Sequence, residues 1–212
     1  MHLFYLHGFA SSARSSKAAF LAGRLRERGL DLHAPDFNEP DFSTLTITRM
    51  IGQVTQAVDA LPEGPVVLIG SSLGAFVAVQ SALARPERIG RLVLLAPAID
   101  FGGNRMRELG GVGIDEWRQR GHLPVFHYGY GRLMPVHYEL YTDACGYDCV
   151  NAALTMPILV FQGRRDAAVD PESVQAWASA RPNVELHMLD DDHQLTASLE
   201  YIWRETKRFL AL

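Results

Sequence analysis

The residues of this 212-residue chain best able to do chemistry centre on Gly70-Ser71-Ser72-Leu73-Gly74. This G-x-S-x-G pentapeptide lies between an apolar run, Pro65 to Ile69, and a run of helical character, Ala75 to Ala84. A strand that turns straight into a helix there strains the backbone of the central serine and holds its hydroxyl above the sheet. Small residues two positions to either side avoid clashes. Ser72 is therefore the candidate nucleophile; the plainer alternative is a glycine-rich turn with an incidental serine. A serine hydroxyl is a weak nucleophile at neutral pH, so a base must take its proton and a carboxylate must hold that base. Asp166 follows the apolar run Ile158 to Phe161, and His193 follows Val184 to Met188. Serine, acid and histidine thus occur in the order that such a strand-elbow-helix site requires.

Two rival assignments can be weighed on local sequence. Asp170 competes with Asp166 for the acid role, but its place before Pro171-Glu172 fits a helix N-cap. Among the eight histidines, His2, His33 and His187 read as strand residues, and His122, His127 and His137 fall in a long insertion. His193 alone has the right order and loop, and the adjacent Asp190, Asp191 and Asp192 read as a solvated turn. Attack on a carbonyl places negative charge on its oxygen, which preset backbone N–H donors must meet. Leu73, next after the nucleophile, offers one N–H, and Phe9, after His7-Gly8, offers the other.

The elements that must position these groups follow from hydrophobic patterning. Runs at Leu3–Leu6, Leu30–Ala34, Val66–Ile69, Leu92–Leu95, Ile158–Phe161 and Val184–Met188 are mostly continuously apolar, as strands covered on both faces must be. Helical periods fill Ser16–Arg28, Thr44–Leu61, Leu73–Arg85, Pro171–Ala180 and Leu195–Leu210. In the first, Ala19, Phe20, Leu21 and Leu25 form the apolar stripe. Alternating units of this kind predict a single domain over residues 1–212, a three-layer α/β/α sandwich with a mostly parallel six-stranded sheet and sites at the strands' carboxyl ends. One interruption, residues 98–155, is rich in glycine (Gly102, Gly103, Gly110 and Gly111 among them) and in aromatics. Its length and placement predict a lid, with Phe126, Tyr128 and Tyr138 lining a substrate pocket. The alternative is a packed excursion that only covers apolar surface.

Composition narrows the function classes. With 48% hydrophobic and 21% charged residues the chain reads as globular, and a net charge of −4 with pI near 6.0 offers no field for nucleic acid or anionic lipid. The opening, Met1 to Gly8, reads as a structural strand rather than a secretory leader, and no run approaches the roughly 18 apolar residues of a membrane span. A cytoplasmic protein is expected. Cys145 and Cys149 lack the partners of a zinc site and are expected as free thiols. No metal or other cofactor is called for.

The segments Leu6-His7-Gly8-Phe9-Ala10-Ser11-Ser12, Ile69 to Gly74, Gly163 to Asp166 and Asp192-His193 together resemble the small α/β-hydrolases of the YqiA-type bacterial esterase family and the related abhydrolase-domain depalmitoylases. The resemblance covers nearly the whole chain. It implies hydrolysis of carboxylic esters or acyl thioesters, with Ser72, Asp166 and His193 as the triad and Phe9 and Leu73 as oxyanion donors. Two departures are visible: the chain begins at what is normally the third strand of the fold, and aspartate precedes the histidine where the family often has glycine. The expected activity is that of a serine carboxylesterase working through an acyl-enzyme on a small-molecule substrate. An acyl-thioesterase or depalmitoylase is the chemical rival, and a non-catalytic ligand receptor on the same scaffold is the rival of another class. Oligomeric state is not specified by these features.

Overall fold

A computed structural model describes residues 1–101 and 113–212. The six expected strands form one sheet: β1 (His2–Leu6), β2 (Leu32–His33), β3 (Val66–Ser71), β4 (Ile89–Leu95), β7 (Ile158–Gly163) and β8 (Val184–Leu189), in the spatial order β2-β1-β3-β4-β7-β8. Every pairing within it is parallel. Alternate residues of β1 serve opposite faces, since successive Cβ atoms of a strand do so. Phe4 and Leu6 join one core, with α2 (Ile47–Asp59), α3 (Leu73–Ala84) and α6 (Pro171–Ser179), while Leu3 and Tyr5 join another, with α1 (Ser16–Arg26) and α7 (Leu199–Leu210). All residues of β3 and β7 are buried, which explains the apolar runs Val66–Ile69 and Ile158–Phe161 that open them. Truncating one such leucine to alanine costs about 2–5 kcal/mol.

Several element boundaries differ from the sequence reading, each for a local reason. The second strand shrinks to two residues because Gly29, at φ 70°, lets the Leu30 N–H close the end of α1 on Leu25 O at 3.1 Å. The predicted helix from Thr44 divides into a short 3₁₀ turn, Phe42–Thr44, and α2, which Thr46 caps by accepting from Arg49 N. The last helix starts at Leu199 rather than Leu195, because Leu195 has φ 55° and cannot continue a right-handed helix. On α1 the apolar stripe is also shifted: Ala19 is exposed, whereas Lys17 is buried in line with Leu21 and Leu25.

The segment between β4 and β7 has its own structure. It contains α4 (Ile114–Arg120), an antiparallel hairpin of β5 (His122–His127) and β6 (Arg132–His137), and α5 (Glu139–Ala144). The glycines at 102, 103, 110 and 111 lie outside the described residues. The rest packs firmly on the sandwich: Trp117, Leu123, Val136 and Leu140 extend the α2/α3 core, and the Thr48 N–H of α2 donates to Asp143 at 2.8 Å. Cys149 is buried, with its thiol 3.6 Å from Phe76 O, and Cys145 is exposed; both are unbridged.

Candidate active site

The elbow is built as its sequence requires. Ser72 sits at φ 54°, ψ −115° between β3 and α3, a conformation unfavourable for a residue with a side chain. A Cβ on Gly70 would lie 2.4 Å from Gly74 O, and one on Gly74 would lie 2.0 Å from Leu6 O. Both glycines are therefore enforced by backbone, which does not yield. The strained turn is held by the Ser72 N–H donating to Leu95 O at 2.9 Å and by the Ala98 N–H donating to Ser72 O at 3.3 Å. Ser71, by contrast, is 4% exposed, as part of β3. The turn therefore offers only Ser72 to an incoming group.

His193 Nε2 lies 3.1 Å from Ser72 Oγ, and its Nδ1 lies 2.8 Å from Asp166 Oδ2. Asp166 is buried, and the other carboxylate oxygen accepts from the N–H groups of Ala168 at 2.8 Å and Val169 at 2.7 Å. Gln162, fully buried on β7, donates to Asp166 Oδ2 at 2.9 Å. Burial alone would raise the Asp166 pKa, but hydrogen bonds from His193, the Val169 N–H and Gln162 together hold it below the ordinary carboxylate value. The carboxylate therefore stays ionised facing the imidazole. Asp170 instead caps α6, accepting from the N–H groups of Glu172 and Ser173.

The loop after β1 abuts this serine. A Cβ on Gly8 would fall 3.3 Å from Ser72 Cβ and 3.2 Å from Ser71 O, so glycine lets the loop approach closely. The buried His7 ring ties that loop down, with Nδ1 2.9 Å from Gly8 O and the Phe37 N–H donating to Nε2 at 3.0 Å. Phe9 follows, its ring against Phe42 and Phe101. Leu73 occupies the first position of α3, where helix geometry leaves an N–H without an acceptor inside the helix and the helix dipole favours negative charge. Loop and helix start thus meet at the carboxyl ends of β1 and β3, where the strand order reverses direction.

The hairpin is docked on the same loop. The Tyr128 N–H donates to Ala10 O at 2.8 Å, and the buried His127 ring accepts from the Tyr130 N–H at Nδ1 and meets Asn38 Oδ1 at Nε2. Asn38 in turn donates to Ser11 O. Burial lowers the His127 pKa and keeps this clasp neutral. Of the three aromatics expected to line a pocket, Phe126 and Tyr128 are exposed and pack edge-on against each other, while Tyr138 packs on Trp117 and Tyr141. A cavity of about 1110 Å³ lies elsewhere, between α6 and the segment returning to β7, with Ile99, Val150, Leu154 and Trp177 among its walls.

Three residues near the site escaped the sequence reading. Gln162 falls just past the apolar run that ends at Phe161, Lys17 is a charge on a helix read from its apolar stripe, and Asp191 was assigned to solvent. Asp191 is instead 4% exposed: its Oδ1 accepts from Asp192 N and its carbonyl from the Arg165 N–H, which folds the β8 loop against the β7 loop. Asp190 keeps the expected exposed character and pairs with Arg165. The Lys17 signal was present, since positions 17, 21 and 25 share one helix face.

A parallel sheet in this order, an elbow serine and a Ser-His-Asp hydrogen-bonded chain define the α/β-hydrolase fold class. Within that class, the chain belongs to the uncharacterised protein family UPF0227, which it matches over residues 2–210. It is 36% identical over 84 residues to the lipase LipV of Mycobacterium tuberculosis, covering 38% of this chain and 32% of that one. It is 22% identical over 175 residues to the bovine palmitoyl-protein thioesterase ABHD10, covering 79% of this chain and 57% of the relative. The chain therefore spans about a third and somewhat over half of these curated relatives. The structure of Est1E from Butyrivibrio proteoclasticus with bound ferulic acid superimposes with a TM-score of 0.84 at 21% identity, covering 100% of this chain and 88% of that one. Among the described residues no helix is long and apolar enough to cross a membrane.

Proposed function

We propose that this protein is a serine hydrolase of carboxylic esters, with Ser72 as nucleophile, His193 as general base and acid, and Asp166 as the group that fixes and balances the imidazole. The observation that carries the reading is the continuous chain from Ser72 Oγ through both nitrogens of His193 to Asp166. His193 Nε2 takes the hydroxyl proton as Ser72 Oγ bonds to the ester carbon, and the charge forming on the carbonyl oxygen is met by the N–H groups of Phe9 and Leu73. The imidazolium then protonates the departing alkoxide, leaving an acyl-serine. Water, deprotonated by the same imidazole, attacks that ester and releases the acid, restoring Ser72. No step in this sequence calls for a metal or other cofactor.

The segment 98–155 acts in this reading as a cap. Its hairpin, held on the Ala10–Ser12 loop, presents Phe126 and Tyr128 at the rim, where apolar groups of a substrate would meet them. Tyr138 supports the hairpin from behind through Trp117. A thioester reading stands second, favoured by the similarity to ABHD10; it uses the same steps with a thiolate leaving. The test is fluorophosphonate labelling of wild type and Ser72→Ala, followed by kcat/KM on p-nitrophenyl esters and on matched oxygen and thiol esters. Labelling at Ser72 with turnover supports a hydrolase, and the matched pairs separate esterase from thioesterase. A stoichiometric burst without turnover would make the scaffold a ligand receptor.

A further inference from the structure

Lys17 is the second residue of α1 and one of only two lysines in the chain. Its side chain is turned inward, 7% exposed, and its ammonium donates to the carbonyl of Gln194 at 2.9 Å. Gln194 is the residue immediately after His193. The backbone just around them is held locally, by the Gln194 N–H donating to Asp192 Oδ1 at 2.8 Å and the Leu195 N–H to Asp192 O at 3.3 Å. Lys17 is thus a tether from a different element, 177 positions away in sequence.

Three carboxylates from two neighbouring turns also attract the ammonium. Asp166 comes from the turn after β7, and Asp191 and Asp192 come from the turn after β8; all three draw on its charge. Asp191 Oδ1 accepts from the Asp192 N–H, but the other oxygen, Oδ2, is buried without a hydrogen-bond partner, so that carboxylate is only half satisfied by local donors. From β1, the buried Tyr5 hydroxyl meets Ser15, just before α1, and burial raises its pKa, so it remains neutral here. Lys17 is therefore the cation of this group.

We propose that Lys17 is a positioning residue: by holding Gln194 O and balancing Asp166, Asp191 and Asp192, its ammonium keeps His193 in line between Ser72 and Asp166. This rests on the hydrolase reading above. The arrangement is costly to the fold, which argues for a role in the reaction. Burial pushes the Lys17 pKa down from its ordinary value to about 8, against the attraction of the three carboxylates. Because the folded pKa is lowered, the unfolded chain binds the extra proton more tightly, and at pH 7 the buried charge opposes folding.

The consequence is a basic limb in the reaction that belongs to no triad member. As Lys17 loses its proton, the neutral amine still reaches Gln194 O, but three carboxylates lose their cation. Wild-type kcat for a short p-nitrophenyl ester is therefore expected to drop to a lower plateau with a midpoint near pH 8, the value to which burial brings this group. Lys17→Met, which keeps the stem and removes the charge, is expected to lower kcat at neutral pH by about 10- to 100-fold, since a small misplacement of a catalytic group has that effect. KM should be nearly unchanged and the basic limb absent. A wild-type kcat that stays flat through this range overturns the inference without any variant being needed. So does a Lys17→Met enzyme that is slow but keeps the wild-type limb, which would make the lysine merely structural. Ser72→Ala run alongside separates the two readings: if it retains turnover, the hydrolase assignment itself fails, whereas its inactivity with an unaltered Lys17→Met sinks only the role of Lys17.

Discussion

Replacing Asp166 by asparagine tests the triad at its most constrained member. The side chain makes four contacts of one polarity: Oδ1 accepts from Ala168 N and Val169 N, and Oδ2 accepts from Gln162 Nε2 and His193 Nδ1. Asparagine has one acceptor oxygen. The two backbone N–H groups cannot rotate away, so that oxygen remains with them and the amide NH₂ faces Gln162 and His193. The Gln162 amide can turn its unpartnered Oε1 to one hydrogen of that NH₂, and the imidazole escapes the other by moving its proton to Nε2. In that tautomer Nε2 points a hydrogen at Ser72 Oγ and cannot take one away. The wrong tautomer, together with the lost balance for an imidazolium, costs about 10⁴ in kcat, or about 5.4 kcal/mol at about 1.36 kcal/mol per decade. Exchanging these charge-assisted bonds for neutral ones destabilises the fold by about 1–3 kcal/mol, which leaves a folded protein to assay. The measurement is kcat with a short p-nitrophenyl ester, beside thermal unfolding and the rate of fluorophosphonate labelling, which should slow in parallel. A folded Asp166→Asn enzyme within about tenfold of wild type, or a loss confined to Asp170→Asn, would refute the reasoning, because asparagine caps α6 as well as aspartate does.

Further outcomes follow from the same geometry. Ser72→Ala should abolish labelling and lower turnover by at least roughly 10³-fold, while Ser71→Ala, altering a buried strand residue, should leave labelling in place; mass spectrometry of the labelled peptide decides between them. Gly74→Ala would set a Cβ 2.0 Å from Leu6 O and should destabilise the protein by about 3 kcal/mol or more, read as a lowered denaturation midpoint. Since Asp166 titrates below its ordinary value when folded, it contributes stability above about pH 4 that is lost as pH falls through its folded pKa; acid unfolding of Asp166→Asn should therefore show a shallower pH dependence than wild type. Phe126→Ala and Tyr128→Ala should change the preference among acyl chains or alcohols without loss of Ser72 labelling, and an unchanged profile in both would reduce the hairpin to a packed cover.

What could be read from sequence was whatever is fixed by local sterics. Gly70 and Gly74 announce the elbow because no other residue fits within a few residues of backbone, and Asp170-Pro171 announces a helix start for the same kind of reason. The serine, acid and histidine candidates could be ordered because a parallel sheet delivers each at the end of a strand. The strands themselves were legible from uninterrupted apolar runs, except β2, whose first residues were taken by the end of α1. Roles set by approach between distant segments were not legible. Gln162 alternates into a buried strand like any apolar neighbour, and Asp191 carries the polarity of a surface turn yet lies under it. Lys17 misled most, because a charge on a helix face is ordinarily solvated.

These misses share a cause that bears on how the site works. Each is a polar group buried close to His193 or Asp166, and burial of a polar group without function is selected against because it costs stability unless it is paired. Gln162 spends one N–H on Asp166 while its own carbonyl oxygen is left without a partner; Asp191 likewise leaves one oxygen unpaired. Among the described residues, unpartnered buried oxygens thus lie beside the acid and in the turn before the base, whereas the serine's turn is set by backbone and glycine. That division follows from chemistry: the nucleophile needs only to be held rigidly and exposed, whereas the imidazole must gain and lose a proton within one geometry. Groups that hold it through both states must be polar and dry, and such groups can be recognised only when the sheet has brought α1, β7 and β8 together.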